Sequence, residues 1–230
     1  MKQLITRGIV LSRTNYGEAD RIITLLTPEQ GKLRLMARGV RRAKSKLAGG
    51  IELFSVSDLT FIKGKGEIGT LISARMLKHY GHIVEDIERV QLGYDLIKLL
   101  NKATEDQPEP EYFTLLEQSF HALDDKAIET NLVRLWFESQ LLRQSGHMPN
   151  LLTDSLGEDL RSDQTYNFDF EDMMFTPYAD GNFSSAHIKV LRLLFSKNSP
   201  QVLTKVQGID TALSDLQLVV RTMLTSYIRV

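Results

Sequence analysis

Arg21-Ile22-Ile23-Thr24-Leu25-Leu26-Thr27-Pro28-Glu29-Gln30-Gly31-Lys32-Leu33-Arg34-Leu35-Met36-Ala37 reads as two strands joined by a tight turn. The first run is built from β-branched residues and leucine, which suit a pleated, half-buried surface. In the turn, proline presets one φ and glycine permits a left-handed one. The second run alternates: Leu33 and Leu35 point one way, Lys32, Arg34 and Met36 the other. That is the period of two expected of a strand with one wet face. The chain then continues through Arg38, Arg41, Arg42, Lys44 and Lys46, so that Arg34 to Lys46 carries six cations and no acid.

Outward from this block lie three more strand-like runs: Ile5 to Thr14, Ile51 to Lys63 and Ile68 to Met76. Asn15-Tyr16-Gly17 and Lys63-Gly64-Lys65-Gly66 supply turns between them. Five short antiparallel strands in about 75 residues predict a small closed barrel, of which the OB-fold is the commonest five-stranded case. Gly64, Gly66 and Gly69 match the spacing of a dinucleotide fingerprint. That fingerprint works only between a strand and a helix. Strands on both sides make this one a hairpin turn.

Helical spacing takes over near Gly81, where Ile83, Ile87, Val90, Tyr94 and Ile97 predict one apolar face. Asn101 to Glu111 is polar and reads as a loop. Tyr112 to Leu123 and Ile128 to Leu142 are two more amphipathic segments. Tyr166, Phe168 and Phe170, followed by Met174, Phe175 and Tyr178, predict a small hairpin. Ser184 or Ser185 is expected to cap a helix to Ser196, and Asp210 a last helix to Ile228. The expected fold class is α+β: an N-terminal five-stranded OB-fold barrel (1–80), then a mostly α-helical domain (81–230) with a small cysteine-free β-hairpin insertion at about 147–183.

Charge divides the chain in the same place. Residues 1–80 hold fifteen Lys and Arg against six Asp and Glu; residues 81–230 hold thirteen against twenty-three. The net charge of -1 hides this division. A small β domain with nine surplus cations is the electrostatic footprint of a polyanion binder, most often of nucleic acid. A spaced row of cations gains affinity by releasing condensed counterions from phosphates. Arginine adds a planar fork that fits phosphate oxygens and stacks on bases. Lys32, Arg34, Arg38, Arg41, Arg42, Lys44 and Lys46 are the candidates for this grip, with Tyr16 as a stacking ring. The bland alternatives are a solvated loop and a surface tyrosine. Phe54 and Phe61 sit in apolar strands and are expected in the core.

Several classes are disfavoured. Apolar content of 42% supports packed cores rather than wholesale disorder. Absence of cysteine excludes disulfides and thiolate-bound metal and fits a reducing cytoplasm. The N-terminus lacks the pattern of a signal peptide, and no run reaches the length of a membrane helix. His79 and His82 have ligand-like spacing, but two ligands make no zinc site. Asp169, Glu171 and Asp172 read as a solvated acidic edge rather than a nuclease's paired carboxylates. Neither a Gly-x-Ser-x-Gly elbow nor a phosphate-binding P-loop occurs. No catalytic residue, metal, cofactor or small-molecule substrate is expected.

The order of motifs resembles the RecO family of bacterial recombination mediators. The resemblance is carried by Tyr16-Gly17-Glu18-Ala19-Asp20-Arg21 and the strand after it, by Gly31-Lys32-Leu33, by Ala37 to Arg42, by Lys44 to Gly49 and by Ile68-Gly69-Thr70-Leu71. A weaker match covers Glu138, Leu141, Leu142, Gly146, Pro149 and Leu151. The resemblance implies an OB-fold, a helical domain and no catalytic turnover. It implies binding of single- and double-stranded DNA, annealing of complementary strands, and help in loading the RecA recombinase in the cytoplasm at the nucleoid. It implies two protein partners, RecR and the acidic, apolar tail of the single-stranded-DNA-binding protein. The family's basic positions fall on Lys32, Arg38, Arg41 and Arg42.

One departure is plain. Many members of the family carry a four-cysteine zinc module, whose pairs would fall near Asp154 and Gly157 and near Ser184 and His187. Glycine offers no ligand and serine a poor one. The expectation is therefore a metal-free module held by Tyr166, Phe168, Phe175 and Tyr178. For the acidic tail, Arg134 and Arg143 beside Leu135, Leu141 and Leu142 offer a cation at an apolar groove. The alternative is that these leucines are core and the arginines pair with nearby acids. Two rival functions stay open on the residues alone: an OB-fold RNA-binding protein in translation or RNA handling, and a metal-dependent nuclease with an OB targeting domain.

Overall fold

The structure, a computed structural model, describes residues 2–64, 66–104 and 109–228, with the backbone alone at 210 and 211. Five strands open the chain: β1 (Gln3–Tyr16), β2 (Asp20–Thr27), β3 (Gly31–Ala37), β4 (Ser55–Ile62) and β5 (Ile68–His79). They form a closed barrel in the order β1-β2-β3-β5-β4. Every pair is antiparallel except β3 and β5, which run parallel through Arg34–Met36 and Ile68–Thr70. The all-antiparallel expectation is corrected by parity. A ring with an odd number of strands cannot alternate all the way round, so one parallel seam is required.

Register puts the alternation of the opening sequence to work. Ile23 faces Leu35 and Leu25 faces Leu33 across β2 and β3. Ile23, Leu25 and Leu35 fill the barrel with Val10, Leu59, Phe61 and Leu71. A slip of one residue would turn this set to water.

The fourth strand is shorter than expected. Ala48–Gly50 forms a 3-10 turn and β4 begins only at Ser55. Phe54 has a left-handed φ of 53°, which turns the chain out of the barrel wall. Its ring is buried against Tyr94 and Phe120, edge-on at 5.4 Å from each. Those rings belong to α1 (Ile87–Ala103) and α2 (Pro110–Asp124). Close approach requires Gly93, since a Cβ there would lie 2.5 Å from the Phe54 ring.

The buried face of α1 agrees with the expected one at Ile97 and departs from it at Ile87 and Tyr94. Ile87 is 89% exposed and Tyr94 46%, whereas Leu92, Leu96, Ile97 and Leu100 are buried. Both stripes have helical spacing, so periodicity alone does not choose between them. The fit of Gly93 to Phe54 does. Residues 105–108, in the expected loop, lie outside the described residues, as does Lys65 in the β4–β5 turn.

The barrel, α1 and α2 form one compact unit that ends at Lys126; a second begins at Ala127. In the second, α3 (Thr130–Gln144) is buried on most sides, with Trp136 and Phe137 among its enclosed residues. It packs on α4 (Ser185–Leu194), the short α5 (Pro200–Leu203) and α6 (Ile209–Tyr227). Ser184 caps α4, its N–H donating to His187 Nδ1 at 3.1 Å. The cap position of α6 is Gly208, at a left-handed φ of 75°. Asp210, expected there, lies within the first turn, and its side chain is outside the described residues.

β6 (Tyr166–Asp169) and β7 (Met174–Pro177) make the expected hairpin. Phe175 gathers Tyr166, Phe168 and Phe183 around it at 5.0–6.1 Å. Tyr178 is 57% exposed, and Phe183 takes the place expected for it in this cluster. Among the described residues no helix is long and apolar enough to cross a membrane.

Candidate nucleic-acid interface

The β1–β2 hairpin and the loop after β3 meet at one end of the barrel. β1 ends at Tyr16, paired with Asp20, and Gly17 turns the chain at a left-handed φ of 55°. Arg21 pairs with Ala37, so the exit of β3 lies beside the entry of β2. Gly39, at φ 64°, then bends the loop back. Three hydrogen bonds fasten it to the hairpin. Gly39 N–H donates to Asp20 Oδ1 at 2.7 Å. Arg41 N–H donates to Ala19 O at 2.9 Å, and Arg41 Nη1 to Gly17 O at 3.2 Å. Beyond them the loop closes on itself, Arg42 N–H to Gly39 O and Ser45 N–H to Arg42 O.

The cations stand outside this frame. Arg38, Arg41, Arg42, Lys44 and Lys46 are all exposed. Among the described residues the side chains of Arg38, Arg42, Lys44 and Lys46 make no hydrogen bond or ion pair. Tyr16, 55% exposed, stands at the hairpin edge of the same end. Fixed backbone with free guanidinium and ammonium groups is a surface prepared for an external anion, because no local bond must break first.

The other two candidates on β3 are placed differently. Lys32 Nζ donates to Asn101 O at 3.0 Å and Thr104 O at 2.8 Å, carbonyls at the C-terminal end of α1. It meets the carbonyl end of the helix, where a cation is favoured. Arg34 lies 3.9 Å from Glu67 in an exposed pair, of the kind worth little in water. The seven candidate cations therefore divide into a loop group and a strand pair.

Sequence reasoning passed over Asp20 and Arg21. Asp20 is the acceptor that anchors Gly39; an acid at the entry of a mostly apolar strand was the available signal. Arg21 Nε donates to Asn15 Oδ1 at 3.1 Å, at the same end of the barrel.

The expected partner groove on α3 is not formed by the residues named for it. Leu135, Leu141 and Leu142 are fully buried core. Arg134 lies 4.0 Å from Glu138, and Arg143 Nε donates to Gln140 Oε1 at 3.0 Å. Nine residues of helix also put the two arginines on opposite faces, since each residue turns about 100°.

The positions of the missing zinc ligands have other duties. Asp154 is buried, and its Oδ1 accepts N–H bonds from Leu156 at 2.9 Å and Glu158 at 3.1 Å. Gly157 supplies the left-handed φ of 82° that the turn needs. Ser184 and His187 are joined as a helix cap. His82 binds Asp124 through its backbone N–H at 2.8 Å. Asp169 Oδ1 accepts from Glu171 and Asp172 N–H and closes the hairpin turn. Among the described residues no three His, Cys, Asp or Glu side chains gather as a metal would require. After β5, burial first and the Glu117 and Asp124 carboxylates next push the Tyr80 phenol up to about 12, so it stays neutral.

Two family models match the chain. Recombination protein O N terminal covers residues 1–80, and Recombination protein O C terminal covers 84–229. The chain belongs to the RecO family. Among its relatives, the DNA repair protein RecO of Dehalococcoides mccartyi is 33% identical over 147 residues, which is 64% of this chain and 57% of that protein. That of Myxococcus xanthus is 35% identical over 166 residues, 69% of this chain and 67% of its own length. That of Acetivibrio thermocellus is 34% identical over 152 residues, 65% and 59% respectively. The matched stretch thus spans between 57% and 67% of these three RecO proteins.

Proposed function

We propose that this chain is a DNA repair and recombination mediator that works by binding rather than by catalysis. Residues 1–80 form the nucleic-acid-binding domain, and the helical residues 81–230, of which α1 and α2 are compact with the barrel, serve protein partners. Arg38, Arg41, Arg42, Lys44 and Lys46 take the phosphates of single- or double-stranded DNA, and Tyr16 stacks on a base. The observation that carries this reading is the exposed cationic loop fastened beside Tyr16 by the Asp20–Gly39 and Arg41–Ala19 bonds. Neutralising two strands on such a surface lowers their mutual repulsion, which is the physical basis for annealing. RecR, the tail of the single-stranded-DNA-binding protein and the RecA recombinase are partners proposed from family membership, at the nucleoid in the cytoplasm.

The test is strand annealing. Complementary oligonucleotides coated with the cognate single-stranded-DNA-binding protein are mixed with the chain, and duplex formation is followed by fluorescence quenching. Acceleration over the coated strands alone is expected. Parallel binding curves on DNA and RNA of one sequence, and incubation with Mg²⁺, complete the assay. Strong preference for RNA would replace the reading with an RNA-binding one, and strand cleavage would replace it with a nuclease.

A further inference from the structure

We infer that Asp20 is the positioning residue of the DNA grip, an acid that strengthens binding of a polyanion. This rests on the proposed role of the cationic loop and deepens it. Asp20 opens β2, and its Oδ1 accepts the Gly39 N–H at 2.7 Å. Gly39 holds the left-handed φ of 64° at which the chain, having left β3, turns back. Arg38 lies on one side of that turn and Arg41 and Arg42 on the other. Arg41 adds the Ala19 and Gly17 carbonyl bonds to the same hairpin. One carboxylate oxygen thus holds the turn between Arg38 and the Arg41–Arg42 pair against the strand end where Asp20 pairs with Tyr16.

Two physical effects at Asp20 have opposite signs. A negative charge near the phosphate path repels the ligand, so its removal should tighten binding. An anchored loop binds without an ordering cost, so loss of the anchor should weaken binding. Glu18, exposed in the same turn and without a hydrogen bond or ion pair among the described residues, carries the first effect alone. The structure assigns the larger effect at Asp20 to anchorage, because the bond is short, charge-assisted and part-buried.

Fluorescence anisotropy with a dye-labelled oligo-dT decides the matter, at fixed moderate salt and on the full chain. Glu18→Ala should bind as tightly as wild type or tighter. Asp20→Ala, which removes the same charge, should bind about fivefold or more weakly, the ratio expected for one lost hydrogen bond. Asp20→Asn, which keeps the acceptor, should bind at least as tightly as wild type. Gly39→Ala changes no charge but strains the same turn, and should weaken binding even if Asp20→Ala does not fold. Asp20→Ala matching Glu18→Ala, or Gly39→Ala matching wild type, would overturn the positioning role and leave DNA binding standing. Wild type that does not bind would overturn the DNA reading, and the positioning role with it.

Discussion

The loop after β3 and the helices both carry arginines, yet the two sets do opposite things. In the loop, Arg38 and Arg42 are exposed and unbonded among the described residues. On α1, Arg89 is buried and donates to Leu123 O at 2.7 Å, Asp125 O at 3.2 Å and Lys126 O at 3.3 Å. Arg143 on α3 is tied to Gln140. The difference lies in the supply of acceptors. A helix ends in up to four carbonyls without partners, and α2 offers its end to Arg89. The loop has spent its own backbone groups on the hairpin and on itself. Arg41 reaches Gly17 O, while Arg38, Arg42, Lys44 and Lys46 bind nothing local among the described residues and stay available. On the proposed reading, a cation is left free for phosphate here because the backbone around it is already satisfied.

The largest expected effect breaks the free side of this comparison. The triple charge reversal Arg38→Glu, Arg41→Glu, Arg42→Glu should lower DNA affinity by roughly two orders of magnitude or more at moderate salt. Each lost duplex phosphate contact should flatten the slope of log affinity against log salt by about 0.9. Thermal stability should move little, since exposed substitutions usually fall within about 0.5 kcal/mol. An unchanged slope would put the DNA site elsewhere.

Next in size is the tied side. Arg89→Met should cost about 3 kcal/mol, because several carbonyls at the end of α2 lose a charged donor in a buried place. Denaturant unfolding reads this loss directly. The salt slope of DNA binding should stay that of wild type. A flattened slope would mean that a buried arginine reaches phosphate after all, and the division drawn above would fail.

Asp154 extends the comparison to an acid. The family resemblance implies a zinc-module thiolate near this position, and here Asp154 Oδ1 accepts two backbone N–H groups. Asp154→Ala should cost about 1–3 kcal/mol by leaving those groups unpaired. Chelator should leave the melting temperature of wild type unchanged, since a structural metal would contribute folding energy directly. Elemental analysis finding one zinc per chain would overturn this account of the insertion.

Much of this was legible in the sequence. The alternation of Lys32–Ala37 and the turn at Pro28–Gly31 carry the barrel, because period two and turn chemistry are local signals. The cluster from Arg38 to Lys46 was legible as charge density. What could not be read was which cations would be consumed. Lys32 and Arg89 are consumed by carbonyls 34 to 72 residues away in sequence, and no local pattern announces such an acceptor. The buried face of α1 was read only in part for the same reason: Gly93 matters only because Phe54, 39 positions earlier and just before β4, stands at a positive φ. Groove and core both stayed open for α3 because leucines at helical spacing look alike whether they face a partner or a core.

A smaller effect is expected at Arg143. Arg143→Ala should cost about 1 kcal/mol, through Gln140, whose side-chain amide donates to the carbonyls of Leu194 and Ser196 at the end of α4. Titration of an acidic, apolar tail peptide should give the same affinity for wild type and for Arg143→Ala. Weakened peptide binding in a variant that remains folded would restore this face of α3 as a partner surface.

The smallest effect, and the finest cut between the two sets, is at Lys32. Family resemblance implies that Lys32 meets DNA, while its ammonium is held by Asn101 O and Thr104 O. The two statements predict different things for Lys32→Met, which keeps the aliphatic stem and removes the charge. If the helix end is its duty, the variant should lose about 0.5–1 kcal/mol of stability, the usual worth of a cation at a helix C-terminus. Amide exchange should rise in the last turn of α1, and the DNA salt slope should match wild type. If phosphate is its duty, stability should hold and the slope should flatten by about 0.7–0.9, depending on whether the DNA is single- or double-stranded. A lysine that leaves the helix when DNA arrives would show both losses together. In that case the ammonium exchanges two carbonyls for one phosphate, and the end of α1 should become less protected in the DNA complex than in the free protein. Exchange measured with and without DNA therefore separates all three outcomes in one variant and its parent.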